Sequence, residues 1–252
     1  MILVVSHKAY PMPADPLYQP IQVGAAGKDP ISPSWLRDDE GDNISERNKS
    51  FCELTGLYWA WKHIDAEVYG LCHYRRYFAG HGHLRNKDKR LIDAEEIDRL
   101  LDKVDVILPR KRHYFIETRE SQYVHAHHAE DFRVTEAVLR ESCPEYLPAW
   151  QDMLNSRSGH ICNMFIMRRE LFMEYCEWLF GILFEVEKRL DTTGYSEYDS
   201  RVFGFVAERL LDVWVETKRL KYTEVPVMVI ENEHWPRKIA AFLRRKIKGG
   251  KD

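Results

Sequence analysis

The stretch Val68-Tyr69-Gly70-Leu71-Cys72-His73-Tyr74-Arg75-Arg76-Tyr77-Phe78 passes from an apolar run into one histidine, two arginines and a group of aromatics. Val68 to Tyr74 has the length and composition of a buried strand, so the cations fall at its carboxyl end. A second run, Ile2-Leu3-Val4-Val5, opens in the same way into Ser6-His7-Lys8. Between the two, Leu54, Leu57, Tyr58, Trp61 and Ile64 fall at helical spacing within residues 51 to 64 and form one apolar stripe. The alternation continues with a helix over 93 to 103 and a strand from Val104 to Leu108, stopped by Pro109. Two partly exposed helices follow, from about Asp131 to Glu141 and near Trp150. His160 to Met167 reads as a strand, Arg168 to Leu190 and Asp199 to Lys218 as long helices, and Tyr222 to Ile230 as the last strand. Pro11 to Asn43, rich in Pro, Gly and Asp, predicts one long ordered loop. Strands alternating with helices predict an α/β domain over residues 1–232, its mostly parallel sheet flanked by helices and its ligands at carboxyl ends of strands.

The chain has 252 residues, 44% hydrophobic and 31% charged, enough to bury a core. Its longest apolar stretch, Trp178 to Val186, follows Glu177 and is cut by Glu185, well short of the roughly 20 apolar residues of a membrane helix. The start lacks a basic leader, so the expectation is a mature chain that begins here, in the cytoplasm. Five scattered cysteines without a CxxC pair read as buried thiols rather than a disulfide framework. Net charge is −3, but Trp235 to Asp252 holds seven Lys/Arg against one Asp, so the cationic character is local. With no nucleic-acid-binding signature either, nucleic acid is not an expected partner.

Several clusters carry candidate chemistry, each with a structural alternative. Arg75 and Arg76 offer forked donors for a diphosphate, with Tyr74 or Tyr77 stacked on a flat ring, or else they are ion-paired to nearby carboxylates. Asp42 and Asn43 grip sugar hydroxyls or a ribose, or else belong to an acidic loop in which Asn43 or Ser45 caps a helix, the reading favoured without context. His125, His127 and His128 are metal-ligand types, yet strand alternation would bring at most two of them together; substrate hydrogen bonding or a solvated loop is favoured over a metal. Asn163, inside an apolar run, binds an acceptor hydroxyl or satisfies backbone. Glu197, Asp199, Arg201 and Glu208 cluster around a helix start and supply a general base, or a cap and a surface ion pair. No GxGxxG, Walker loop, GxSxG, HExxH or CxxC occurs, and no obvious DxD follows a strand.

The terminal segment behaves differently. On a helical wheel Trp235, Ile239, Phe242, Leu243 and Ile247 share one side, while Arg237, Lys238, Arg244, Arg245 and Lys248 lie opposite. A basic amphipathic helix over 233–252 is expected, in contact with an anionic membrane surface or docked on the protein itself.

Together, Tyr18 to Ala25, Gly41-Asp42-Asn43-Ile44-Ser45, Cys52-Glu53-Leu54-Thr55, Tyr58-Trp59-Ala60-Trp61-Lys62 and Gly70 to Phe78 resemble the DUF4422 family of bacterial polysaccharide-synthesis glycosyltransferases. The resemblance continues through Asn163 to Met167, Tyr175 to Phe180 and Arg201 to Leu210, and spans about residues 2 to 230. It implies a GT-A-like, Rossmann-like transferase that moves a galactosyl or galactofuranosyl group from a nucleotide-diphospho-sugar such as a UDP-sugar to a capsule, exopolysaccharide or O-antigen glycan. Ser6, His7, Lys8, His73 and Tyr74 would then hold the nucleotide, and Asp42 and Asn43 the donor sugar or ribose. Arg75 and Arg76 would stand where such enzymes commonly place a metal, so a divalent ion is not favoured. The His125, His127 and His128 region and Asn163 would hold the acceptor, Asp199 or Glu208 would act as base, and the basic tail would keep the enzyme at the inner face of the plasma membrane beside a lipid-linked acceptor. Two competitors remain: a metal-dependent hydrolase built on the three histidines, and a noncatalytic sugar-binding protein at the membrane.

Overall fold

The computed structural model describes residues 1–81 and 91–230. The basic amphipathic helix expected over 233–252 lies outside the described residues. In chain order the elements are β1 (Ile2–Ser6), β2 (Tyr18–Gln22), β3 (Leu36–Arg37), α1 (Asn48–Phe51), α2 (Leu54–His63), β4 (Val68–His73), β5 (Arg76–Phe78), α3 (Ala94–Leu101), β6 (Val106–Pro109) and β7 (Arg112–His113). They continue as α4 (Arg119–Ala126), α5 (Ala129–Ser142), α6 (Leu147–Asn155), β8 (Ser158–Gly159), β9 (Phe165–Arg168), α7 (Arg169–Arg189), α8 (Val202–Thr217), β10 (Tyr222–Val225) and β11 (Val227–Val229).

The main sheet runs β10-β6-β9-β4-β1-β2-β3, with β5 and β11 attached beside β4. Strand β1 lies parallel to both β2 and β4, and β6 parallel to β10; β9 runs antiparallel between β4 and β6. The sheet is therefore mostly parallel, as the alternating pattern predicted. Its inner strands β1, β4, β6 and β9 are buried on both faces, and the side-chain period of two divides them cleanly. Leu3, Val5, Tyr69, Leu71, Val106, Leu108, Phe165 and Met167 pack with α2 and α5 to α8. Ile2, Val4, Cys72, Ile107 and Ile166 pack on the other face with Ile97 and Leu101 of α3. Gly70 sits where three strands converge: a Cβ there would stand 3.0 Å from Ile2 Cγ1 and 3.1 Å from Ile166 Cγ1.

Several expectations are corrected. The supposed loop from Pro11 to Asn43 contains β2 and β3, because Tyr18 and Ile21 are buried beside β1 although Pro20 and the glutamines hide the alternation. The strand expected from His160 begins only at Phe165, since Cys162 and Asn163 adopt left-handed backbone at φ 71° and 52°. Pro226 splits the last strand: β10 pairs with β6, and beyond the proline β11 pairs with β5. The two helices expected to be partly exposed are so: each buries one face, with Val138, Leu139 and Trp150 at 0% exposure, and leaves Glu130, Arg133, Arg140 and Gln151 exposed on the other. Helix α4, capped by Thr118 Oγ1 accepting the Ser121 N–H at 3.1 Å, carries His125, so strand alternation does not govern the three histidines. Among the described residues no helix is long and apolar enough to cross a membrane.

Candidate functional site

Parallel β1 and β4 end side by side, with Val5 opposite His73 in register. Their carboxyl ends therefore bring Ser6 and His7 next to His73, Tyr74, Arg75 and Arg76, at the mouth of a cleft of about 480 Å³. The opposite wall comes from Asn48, Lys49, Cys52 and Glu53 around α1, from Cys162 before β9, and from Glu197, Arg201 and Glu208 around α8. Two stretches far apart in sequence thus meet where a parallel sheet ordinarily binds ligand.

The lining of the cleft combines the cations Lys49, Arg75, Arg76 and Arg201 with the carboxylates Glu53, Glu197 and Glu208. Burial, and then the charges of Lys8, Arg75, Lys28 and Arg201, push His7 below the ordinary imidazole range, which keeps it neutral at pH 7. Among the described residues no carboxylate forms an ion pair with Arg76. Lys8 does not line the cavity, but its ammonium and the Arg75 guanidinium lie over the Tyr74 ring, 5.3 and 4.9 Å from its centroid. That ring is therefore covered, and Tyr77 is wholly buried with its hydroxyl donating to the Tyr74 carbonyl at 3.3 Å. Neither tyrosine is the open stacking platform that the sequence suggested. His73 holds the far wall by a 2.7 Å hydrogen bond between Nε2 and the Cys162 carbonyl.

Of the three carboxylates that line the cleft, Glu208 and Glu53 are fixed by hydrogen bonds. Glu208 accepts the Cys162 backbone N–H on Oε1 at 2.8 Å and Arg209 Nη1 on Oε2 at 3.0 Å. Burial pushes its carboxyl above the ordinary range; Arg209 opposes the shift and Glu53 adds to it. Glu53, not singled out as a site residue from the sequence, is held by Asn163, whose Nδ2 donates to Glu53 Oε1 at 2.7 Å. Three non-glycine residues around the cleft, Cys52, Cys162 and Asn163, have left-handed φ of 52°, 71° and 52°, and such strain concentrates at functional sites. Cys52 and Cys162 are also half-buried rather than core thiols, unlike Cys72, Cys143 and Cys176.

The remaining expected site residues lie elsewhere. Asp42 accepts from the Tyr58 hydroxyl at 3.0 Å, and Asn43 Oδ1 accepts the Ser45 N–H at 3.1 Å, so both organise the loop before α1. Neither lines the cleft; nor does Asn163, whose second donor bond goes to the Gly204 carbonyl. The anchor of that loop is Asp38, fully buried, which accepts the Gly24 and Ala25 N–H groups and the Ser45 hydroxyl. His125 turns to Glu117, whereas His127 and His128 approach Asp199 at 3.0 and 3.7 Å, so the three imidazoles do not converge. Hydrogen bonds from Ser196 and His127 hold Asp199 below the usual carboxylate range, and its side chain is engaged outside the cleft lining. Among the described residues no group of three or more His, Cys, Asp or Glu side chains is arranged to hold a metal ion.

The chain is similar to the apo structure of the WbbM bifunctional glycosyltransferase, with 29% sequence identity and a TM-score of 0.83. That match covers 92% of this chain and 45% of the WbbM chain, so the present chain corresponds to less than half of that protein. No curated protein sequence matches. A family model for a domain of unknown function, DUF4422, matches residues 1–219, and the chain belongs to that family.

Proposed function

We propose that the chain is a glycosyltransferase that moves a hexosyl group, galactosyl or galactofuranosyl, from a UDP-sugar to a polysaccharide or lipid-linked glycan. The observation that carries this reading is the cleft at the ends of β1 and β4, where His7, Lys49, Arg75, Arg76 and Arg201 surround the carboxylates Glu53 and Glu208. The likeness to WbbM supports the reaction class.

In this reading the diphosphate lies against Arg75 and Arg76, with Arg201 and Lys49 across from it. As the bond from the sugar's anomeric carbon to the phosphate oxygen breaks, negative charge grows on the departing nucleotide. Preorganised guanidinium groups stabilise that charge more in the transition state than in the bound donor, the largest contribution such a reaction requires. Guanidinium thereby takes the part that a divalent ion plays in other transferases. Neutral His7 offers hydrogen bonds to the nucleoside, the buried Ser6 hydroxyl, donating to the Lys8 carbonyl at 2.7 Å, fixes the turn that carries it, and His73 fixes the wall behind it. In an inverting transfer the acceptor hydroxyl forms the new bond to the anomeric carbon while Glu208 or Glu53 takes its proton. Glu208 has the raised affinity for a proton that suits this task. Glu53 has one oxygen fixed by Asn163, which suits it to orientation. The basic tail would place this cleft beside a lipid-linked acceptor at the inner face of the plasma membrane.

A panel of UDP- and GDP-sugars assayed for nucleotide release, with and without EDTA, tests the proposal. Release from a UDP-hexose that survives EDTA is expected. Silence across the whole panel would overturn the reading in favour of a noncatalytic sugar-binding protein, and complete loss in EDTA would overturn the guanidinium role.

A further inference from the structure

Strands β4 and β6 both run antiparallel to β9, so they run parallel to each other. Pro109 therefore closes β6 at the same edge of the sheet where His73 closes β4 and the cleft opens. The chain continues into β7, which pairs with β8, and Gly159 of β8 precedes Cys162 of the cleft wall by three positions. Between β7 and α4 stands the loop Tyr114-Phe115-Ile116-Glu117. Its ends are braced: the Tyr114 N–H donates to the Arg157 carbonyl and the Arg119 N–H to the Ser156 carbonyl, each at 2.8 Å.

The tip of this loop is bare. Phe115 is 82% and Ile116 89% exposed, more than any other large apolar side chain among the described residues. Phe115 also holds left-handed backbone at φ 58°, an unfavourable conformation for a bulky residue and one that concentrates at functional sites. The fold thus holds two apolar side chains in water at the end of a fixed turn, which opposes stability in the chain alone. The surround is cationic. Arg110, Arg112 and Arg157 are exposed, and among the described residues no carboxylate forms an ion pair with any of the three. Glu117, the acid within the loop, bonds His125 at 2.7 Å. Even with Glu117 and Glu120 counted, Arg110, Lys111, Arg112 and Arg157 leave the region net positive.

An apolar tip inside a cationic rim matches the boundary of an anionic bilayer, where the tip enters below the headgroups and the rim meets their charge. A protein partner fits less well. A large side chain buries about 150–250 Å², so two of them fall well short of the roughly 800 Å² per partner of a stable protein interface. Nor is the tip a sugar platform, since Ile116 offers neither a flat face nor a polar atom. We propose that the loop Tyr114 to Glu117 inserts Phe115 and Ile116 into the interface of an anionic lipid bilayer, with Arg110, Arg112 and Arg157 on its headgroups. This contact is separate from any made by the basic tail. The insertion rests on the loop itself; only its purpose, to hold the cleft over a lipid-linked acceptor, rests on the transferase reading above.

Sedimentation of the full chain with vesicles tests this, using an equimolar mixture of phosphatidylglycerol and phosphatidylcholine beside phosphatidylcholine alone. Wild type is expected to partition onto the anionic vesicles. The double variant Phe115→Asn/Ile116→Ser, at side chains that pack on little else, should keep the wild-type melting temperature and weaken partitioning tenfold or more. Arg110→Gln/Arg112→Gln should do the same on anionic vesicles alone, since each cation near such a surface contributes about fivefold. Partitioning that ignores the Phe115→Asn/Ile116→Ser change would assign membrane contact to other residues and overturn the proposal; indifference to the arginine change would overturn the anionic surface. A wild type that ignores vesicles but self-associates, with Phe115→Asn/Ile116→Ser monomeric, would make the loop a contact between copies instead. Loop-dependent partitioning with no sugar nucleotide ever turned over would leave the insertion standing and end the transferase reading.

Discussion

Asn163 reaches across 110 residues of sequence to fix Glu53, donating from Nδ2 at 2.7 Å, and the same amide nitrogen donates to the Gly204 carbonyl at 3.0 Å. Its backbone is left-handed, at φ 52°, a conformation that asparagine tolerates better than most residues. Asn163→Ala therefore loses the orienting bond and adds strain of about 1–2 kcal/mol. Asn163→Gly loses the bond without the strain. Both variants are expected to lower turnover about ten- to hundredfold, the scale of a misplaced catalytic group, and both should lose melting temperature with the buried hydrogen bonds, the alanine more than the glycine. Turnover in Asn163→Gly equal to wild type would remove Glu53 from the machinery.

The open guanidinium of Arg76 is the simplest handle on the donor. A charge-assisted hydrogen bond contributes about 1.5–3 kcal/mol, so Arg76→Ala should weaken UDP binding roughly ten- to hundredfold by calorimetry. Arg76→Lys should recover only part, because an ammonium lacks the fork that grips two phosphate oxygens. UDP binding that ignores both substitutions would detach the diphosphate from this corner.

Much of this architecture is legible in the sequence, and the misses have physical causes. The apolar runs of β1 and β4 and the stripe Leu54, Leu57 and Tyr58 of α2 identify the layers, and two strands ending in polar residues place the cleft. Strand β2 is not legible, because a strand buried by pairing with β1 can carry Gln19, Pro20 and Gln22 without apolar alternation. Glu53 is equally hidden: it precedes α2 as an ordinary helix-start acid, and only the left-handed turn at Cys162 and Asn163, which sequence patterning does not foretell, brings its partner to it. The three histidines do not converge because α4 ends at Ala126, so His125 points to Glu117 while His127 and His128 turn toward Asp199.

Glu208 gives the protein a pH signature of definite sign. Burial raises its carboxyl above the ordinary value, so between the two values the folded state binds more proton than the unfolded one. Stability from this group is complete below the ordinary carboxyl range and falls as pH rises through the raised value. Glu208→Gln, which keeps the shape without ionising, should flatten that fall in urea midpoints recorded from pH 4 to 8. In the same variant transfer should drop sharply, whereas UDP affinity should be kept or improved, since a negative charge leaves the cleft. An unchanged pH slope would show that Glu208 does not titrate in this way.

Asp212 works in the opposite direction. Burial alone would raise its carboxyl, but the hydrogen bonds and charges of His160 and Arg119 outweigh it and hold it below the usual range. Its contribution is therefore present above the ordinary carboxyl value and is lost as pH falls through the lowered one. Asp212→Ala leaves a buried guanidinium and imidazole without their counter-ion, a loss of about 3–5 kcal/mol. For a domain of this size that lowers the melting temperature by roughly 6–20 °C. Gly159→Ala attacks the same pair from the backbone, since its Cβ would fall 2.3 Å from Arg119 Cζ and the guanidinium must shift. Because both changes break one interaction, the double variant should be less destabilised than the sum of the singles. Calorimetric melting of the four proteins decides it: strict additivity would mean that Gly159 acts on something other than the Arg119–Asp212 pair.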